Sequence, residues 1–298
     1  MVKSKYSKEP GEKSTLEMFF YWLQERHKIY VKKTRGDPWP WTKDKILQEF
    51  SFCNVYRELD TGTIFCRKEI REPYAANPEL FFNIAMYRLF NLIDTYKDIG
   101  FVTNYDYKKI EPIIRSRREN GLQVFTGAHM ITGTLGGDKI WQVFGLCLPA
   151  LWERRKELEP KPGDTLESAF NRLNKSTPGF GPFISYEVIS DLRWTRYLCG
   201  ASDIMTWANP GPGCMRGLNR LLGLSLNPTK QLPKEKYIHY MRRLLEMSSD
   251  PFYGCEWMPD LTMREVEHSL CEFFKYEKVR LGLGHPRSKY IPPHLRII

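Results

Sequence analysis

Ser176-Thr177-Pro178-Gly179-Phe180-Gly181-Pro182-Phe183-Ile184-Ser185-Tyr186-Glu187-Val188-Ile189-Ser190-Asp191-Leu192 is the stretch from which the fold is read. A helix is predicted to end near Lys175, a tight Pro-Gly-x-Gly turn comes next, and a second helix starts at Pro182. Proline suits the first helical position because its φ is already set and its missing N–H is no loss there. Gly179 and Gly181 are expected to allow positive φ and to leave backbone N–H groups unshielded. Those N–H groups stand at a helix N-terminus, where the aligned peptide dipoles favour an anion. Such a turn can grip a phosphate without reading any sequence. An ordinary helix–turn–helix corner would show the same glycines, so the turn alone does not decide function.

The rest of the chain repeats this grammar of helices punctuated by Pro and Gly. Ser14 and Glu17 are spaced for a capping box ahead of an apolar face through Phe19, Trp22 and Leu23. Prolines make a loop of 35–41, and a helix restarts over Lys43–Phe50. Residues 78–95 read as a strongly apolar central helix, with further helices over about 106–120 and 138–158. Pro160-Lys161-Pro162-Gly163 is a linker, and Asp164 is predicted to cap the next helix, with Glu167 three residues on. The last helix spans Met263 to Gly282 and is rich in charge. Period-two alternation is scarce, so the expected class is mostly α. The predicted organisation is a flexible basic tail over 1–14, a single helical domain over 15–283 with its hairpin at about 165–192, and a basic tail over 284–298.

Composition narrows the partners. Hydrophobic residues make up 42%, with 17 Phe, 16 Tyr and 8 Trp, which is enough for a large core and excludes a disordered chain. A net charge of +10 favours a polyanion, and nucleic acid is the usual one. The seven cysteines are dispersed with no C-x-x-C pair, as expected of reduced thiols in a cytoplasmic protein. They give no ground for a structural zinc or an iron–sulfur cluster. No leader and no membrane span are expected, because no long apolar run occurs. Gly133-Thr134-Leu135-Gly136-Gly137-Asp138-Lys139 lacks the spacing and hydroxyl of a P-loop. His268 and Glu272 lie at i, i+4 with Lys275 at i+7, so they either line a site or form a surface ion pair. No third ligand is evident beside them, so no metal is expected, and no cofactor.

The turn and the segment after it resemble the helix-hairpin-helix DNA glycosylase superfamily, in which a Pro-Gly-x-Gly hairpin precedes a helix and then a catalytic aspartate. Here Asp203 stands 22 residues after Gly181, in keeping with that separation. In some members a lysine four residues past the second glycine forms a Schiff base with the sugar. That position is Ser185, so the resemblance does not extend to a lyase.

Beyond Asp203 the chain departs from simple glycosylases. Thr206-Trp207-Ala208-Asn209-Pro210-Gly211-Pro212-Gly213 opens another helix carrying Arg216-Gly217-Leu218-Asn219-Arg220, with both arginines on one face. It reads as a second anion cradle or, more plainly, a glycine-rich loop with solvated arginines. Together with Asn54-Val55-Tyr56-Arg57-Glu58-Leu59-Asp60, Phe125-Thr126-Gly127-Ala128 and Gly181–Glu187, these segments resemble one family over roughly residues 17–282. It is the helical domain associated with 5-hydroxymethyluracil DNA kinases and with the α-glutamyl/putrescinyl-thymine pyrophosphorylases, also described as amino acid:DNA transferases of bacteriophages. The resemblance implies that (pyro)phosphate on 5-hydroxymethyluracil in double-stranded DNA is displaced by the amine of a free amino acid or polyamine, with a 5-hydroxymethyluracil DNA kinase as a further partner.

On that reading the base is flipped into a pocket. Asp203 stands beside the developing positive charge or takes a proton from the amine, and Glu187 is a second catalytic candidate. Gly179, Gly181, Gly211, Gly213, Arg216, Arg220 and Arg57 hold DNA or the leaving phosphate. Tyr186 and Trp207 are expected to stack on the base, with Asn209, Asn54 and Thr126 lining the pocket; each aromatic fits a core position equally well. A glycosylase acting on a modified base and a non-catalytic DNA-binding partner of the kinase remain as alternatives.

Overall fold

A computed structural model describes residues 13–127, 138–286 and 288–292. Residues 1–12, 287 and 293–298 of the expected tails lie outside it, as do Ala128 and the glycine-rich turn at 133–137. Among the described residues the protein is all α, with twelve α-helices and one isolated antiparallel bridge, Phe50 to Lys289. The first elements are α1 (Thr15–Arg35) and α2 (Lys45–Glu49), followed by a short 3-10 turn (Arg57–Leu59). Next come α3 (Thr61–Phe65), which runs on as a π-turn (Cys66–Arg71), then α4 (Leu80–Phe90), α5 (Ile93–Ile99) and α6 (Tyr107–Glu119). A second π-turn (Trp141–Cys147) leads into α7 (Leu148–Leu158), then α8 (Leu166–Leu173) and α9 (Pro182–Leu192). The chain ends with α10 (Pro212–Leu221), α11 (Lys234–Met247) and α12 (Met263–Arg280).

These elements form two compact units, one made of the chain up to Asp60 and from Ile204 onward, the other of Thr61–Asp203. In the first unit α1 starts with the expected capping box. Ser14 Oγ accepts the Glu17 N–H at 3.2 Å, and the Glu17 carboxylate accepts the Ser14 N–H at 2.7 Å. Phe19, Trp22 and Leu23 are buried as the apolar spacing required. The same device starts α12, with Thr262 and Glu265. Part of the stretch expected to be an irregular tail is docked here, since Ser51 N donates to Ser288 O at 3.1 Å and Tyr290 N to Glu49 O at 2.9 Å.

In the second unit α4 is buried along its whole length and packs on α9. The helix predicted over 78–95 is broken by Asn91, which adopts φ 48°, and restarts as α5. A buried guanidinium fixes the α4–α9 contact: Arg88 grips the Asp191 carboxylate through Nε (2.5 Å) and Nη2 (2.8 Å) and also donates to Thr63 Oγ1 (3.2 Å). Burial alone would lower the Arg88 pKa, but Asp191 outweighs it and holds the guanidinium above its ordinary value. α8 is capped by Thr165 and Ser168 rather than by Asp164. Asp164 is turned to Arg172 (2.9 Å from Nη2) and to the Ser168 hydroxyl (3.0 Å), so it braces the cap from outside.

Candidate functional site

In the first unit, Asn54–Asp60 is a closed loop. Asn54 Nδ2 donates to Leu59 O (2.8 Å) and Asp60 Oδ1 (3.0 Å), and Asn54 N donates to the same Oδ1 (2.9 Å). Arg26, from α1, donates to Asn54 Oδ1 at 2.8 Å, and Arg57 pairs with Asp60 at 2.9 Å. The loop docks on α12 through Cys53 N, which donates to Glu272 Oε2 at 3.1 Å.

The Thr206–Arg220 segment docks on the same helix. Gly211 N is directed at Glu267 Oε1, at a long 3.4 Å, so the protein's own carboxylate faces the start of α10. Gly213 and Gly217 let α10 lie directly against α12. A Cβ at Gly213 would stand 2.2 Å from Cys271 Sγ, and one at Gly217 would stand 2.4 Å from Leu270 O. Arg220 pairs with the buried Glu277 (2.9 Å), which Arg280 also holds (2.5 Å). Arg216 is part-exposed, 5.9 Å over the Phe274 ring. Asn219 is fully buried. It donates to Thr229 O (2.8 Å) and Ser225 O (3.2 Å) and accepts from the Tyr237 hydroxyl (2.9 Å), clamping the loop after α10.

α12 thus carries a concentration of buried charge: Arg264, Glu265, Glu267, His268, Glu272, Glu277 and Arg280. Glu272 is 2% exposed and bound by Lys275, so this face is no surface ion pair. Burial would lower the Lys275 ammonium, but Glu272 beside it prevails and holds it above its ordinary value. Burial, then Glu272, pushes the Cys53 thiol well up and the Cys271 thiol up to about 12. Cys53, His268 and Glu272 bring three ligand atoms within 4.8 Å of one another. The third ligand that sequence spacing did not supply comes from a residue 219 positions from Glu272.

In the second unit, α8 and α9 are joined by a turn closed by Lys175 N donating to Phe180 O at 2.6 Å. Gly179 has φ +86°, and a Cβ there would meet Cys147 Sγ at 2.9 Å and Leu89 Cδ2 at 3.2 Å. Gly181 departs from expectation, since its φ of −76° is open to any residue. It caps α9, and a Cβ there would meet nothing within 4 Å. Phe183 stands beside it, 53% exposed. Asp203 accepts the Leu166 N–H (2.7 Å) and the Glu167 N–H (3.0 Å), so its carboxylate sits on the N-terminus of α8. Thr126 N donates to Phe90 O at 3.0 Å.

Several expected roles meet a different environment. Glu187 is 4% exposed and lies 3.9 Å from Arg88 in the buried cluster with Asp191, which keeps it from solvent. Tyr186 is buried edge-on to Phe170, and Trp207 is buried beneath Lys234, 5.4 Å from its ring. Both are core positions rather than open stacking platforms. Asn54 is a loop clamp, while Asn209 is part-exposed. Sequence reasoning did not find Arg26, Cys53, Arg88 or Glu277, because nothing local marks a partner contributed from a distant segment. All seven cysteines are free thiols, and among the described residues no helix is long and apolar enough to cross a membrane.

Residues 13–284 match the family described as "5-hmdU DNA kinase, helical domain". A 5-hmdU DNA kinase of Bacillus phage SP10 is 26% identical over 301 residues, an alignment covering 90% of this chain and 46% of that protein. The chain therefore spans about half the length of the curated relative it matches. No solved structure matches. With nearly its whole length inside that match, the chain belongs to the family of 5-hmdU DNA kinase helical domains.

Proposed function

We propose that this chain is a DNA hypermodification enzyme that replaces the (pyro)phosphate of phosphorylated 5-hydroxymethyluracil in double-stranded DNA with the amine of a free amino acid or polyamine. The observation that carries this reading is the docking of two motif segments, Asn54–Asp60 and Thr206–Arg220, on the charge-bearing α12. Gripping a DNA backbone needs neither segment. The family membership supplies the substrate class, and the SP10 relative's name places 5-hmdU DNA in that protein's chemistry.

In the reaction, the bond between the base's 5-methylene carbon and the phosphate oxygen breaks. The electron pair leaves with the phosphate, a C–N bond forms, and the amine loses a proton. Arg216, part-exposed and cationic, is the leading candidate to meet the departing phosphate. Arg220 and Arg57 are already paired with Glu277 and Asp60 and chiefly hold the frame. The α8–α9 turn is read as a helix-hairpin-helix of the glycosylase type that grips a DNA phosphate through N–H groups near Gly179 and Gly181. Asp203 is the carboxylate proposed to stabilise the electron-poor carbon or take the amine's proton. Thr126 and Asn209 are proposed as pocket residues for the flipped base.

One observation favours a second reading. The chain aligns with about half of a protein named as a kinase, and it has no P-loop, so it also fits a DNA-holding companion of a kinase. Nucleoside mass spectrometry separates the two. DNA carrying phosphorylated or pyrophosphorylated 5-hydroxymethyluracil is incubated with the protein, amino acids and polyamines. An amine-linked nucleoside establishes transfer, free base or abasic DNA establishes a glycosylase, and unchanged DNA that is nonetheless bound establishes the companion role. Asp203→Asn is expected to lose chemistry while keeping DNA affinity, and full activity in that variant removes Asp203 from the mechanism.

A further inference from the structure

We infer that Cys53, His268 and Glu272 form a binding site for a zinc-class divalent metal ion. The inference is independent of the amine-transfer reading. His268 and Glu272 stand one turn apart on α12, so both side chains leave the helix on one face. Cys53 is brought to that face by the loop after α2, and its backbone N–H fastens it there by donating to Glu272 Oε2 at 3.1 Å. The three ligand atoms already lie within 4.8 Å of one another, with His268 9% and Glu272 2% exposed.

Usual zinc–sulfur, zinc–nitrogen and zinc–oxygen lengths put tetrahedral donor atoms roughly 3.5 Å apart, so the trio has to close by about 1 Å. Rotation of the Cys53 and Glu272 side chains would have to supply this, at the expense of the contacts that Glu272 makes to Cys53 N and Lys275. The donor set selects the ion. Thiolate and imidazole favour zinc or cobalt over magnesium or calcium, which take oxygen ligands. One thiolate and one carboxylate balance a divalent charge, and three protein ligands leave a fourth position for water or a phosphate oxygen.

The charges around Cys53 set the terms of binding: Glu272, Asp60, Arg57 and Lys275 all act on it, and Arg26 feels its charge in turn. Cys53 is a free thiol, with one S–H proton to give up. The metal has to displace that proton, forming the metal–sulfur bond as the S–H bond breaks and releasing one proton to solvent. It also has to loosen Lys275 from Glu272.

Titration of the full chain with cobalt(II) alone is expected to saturate at one equivalent. It should give a thiolate-to-cobalt charge-transfer band in the near ultraviolet and visible bands of a low-coordinate site, all bleached by zinc. About one proton per metal should be released in weakly buffered solution near pH 7.5. Cys53→Ser, which keeps the backbone bond to Glu272, should lose the charge-transfer band and weaken zinc binding by at least about tenfold, and His268→Gln should weaken it likewise. Cys255→Ser, a control in the same unit, should change neither. Absence of the band or of proton release in the unaltered protein overturns the site, as does an undiminished band in Cys53→Ser. The measurements on the unaltered protein decide the matter even if a variant fails to fold.

Discussion

Replacing Gly217 by alanine places a methyl group against the backbone of α12. In an open helix this substitution gains up to about 1 kcal/mol, because alanine loses less backbone entropy than glycine. Here the new Cβ would stand 2.4 Å from Leu270 O, 3.0 Å from Leu270 C and 3.2 Å from Leu270 Cβ. No side-chain rotation removes a carbonyl, so α10 and α12 must separate by roughly 1 Å, and overpacking of this kind costs about 1–3 kcal/mol. With the nearest obstacle being backbone, the upper part of that range applies, and Gly217→Ala is expected to be destabilising by about 2 kcal/mol net of the helical gain. Gly213→Ala is the internal comparison. Its Cβ meets Cys271 Sγ at 2.2 Å, an obstacle that truncation to alanine removes, and Cys271 Cβ at 3.1 Å, which alanine keeps. Denaturant unfolding monitored by far-ultraviolet circular dichroism should show Cys271→Ala restoring most of the stability lost in Gly213→Ala. Leu270→Ala should restore none of what Gly217→Ala loses, since the carbonyl remains. Equal or greater stability of Gly217→Ala would refute the close-contact argument, and rescue by Leu270→Ala would show that the contact is with the side chain.

Three further outcomes are expected. Asp191→Asn leaves the buried Arg88 with the more distant Glu187, at 3.9 Å, as its nearest carboxylate, and should lower stability by about 3–5 kcal/mol, read as a shift in the urea midpoint. Arg172, with the Lys161 and Ser168 donors, holds Asp164 down to about 2 from its ordinary 3.8. A depressed folded-state pKa gives stability that is present above the ordinary value and lost as pH falls from there through about 2, so acid titration of stability should show a loss in that window that Asp164→Asn lacks. Gly179→Ala should destabilise the second unit through its positive φ and its contact with Cys147, whereas Gly181→Ala should leave the fold intact and weaken DNA binding in a filter or anisotropy assay. Unchanged DNA affinity in Gly181→Ala would remove that backbone from the proposed grip.

The sequence made the helices legible where caps and apolar spacing agree. Ser14 with Glu17 started α1 as expected, Pro182 and Pro212 opened α9 and α10, and the apolar run through Phe81 and Tyr87 became the buried α4. It misplaced the start of α8 because Asp164 and Thr165 are both good caps, and Asp164 is taken up by Arg172, Ser168 and Lys161 while Thr165 caps. It could not show the π-turns at Cys66–Arg71 and Trp141–Cys147, since one inserted residue per turn barely alters an apolar spacing. Site residues were legible as motifs but not as roles. Tyr186, Trp207 and Glu187 carry groups suited to chemistry, yet burial assigns them to packing and to a closed ion cluster. Cys53 shows the reverse. Nothing in its neighbourhood marks it, and it matters because its loop is fastened to a helix from the far end of the chain.

The buried charge on α12 is the feature that packing leaves least explained. Seating carboxylates and guanidiniums in a low-dielectric interior costs several kcal/mol per ion, and well-packed apolar replacements of such groups are often as stable or more so. The helix nevertheless carries Glu267, Glu272 and Glu277 on its packed faces, each matched to a different partner: Arg264 for Glu267, Lys275 and the Cys53 loop for Glu272, and Arg220 with Arg280 for Glu277. Two of these carboxylates are where the motif segments dock, Glu272 under Cys53 and Glu267 under Gly211. Asn54 and Asn219, each within its own segment, hold the adjoining loops in shape. The motif therefore divides physically into residues that fix loops and residues that bring charge to one helix, and only the second group needs a reason beyond stability. That places the search for chemistry in the first unit on the polar groups gathered at α12, with Arg216 at its edge, ahead of the buried aromatics that the motif also contains.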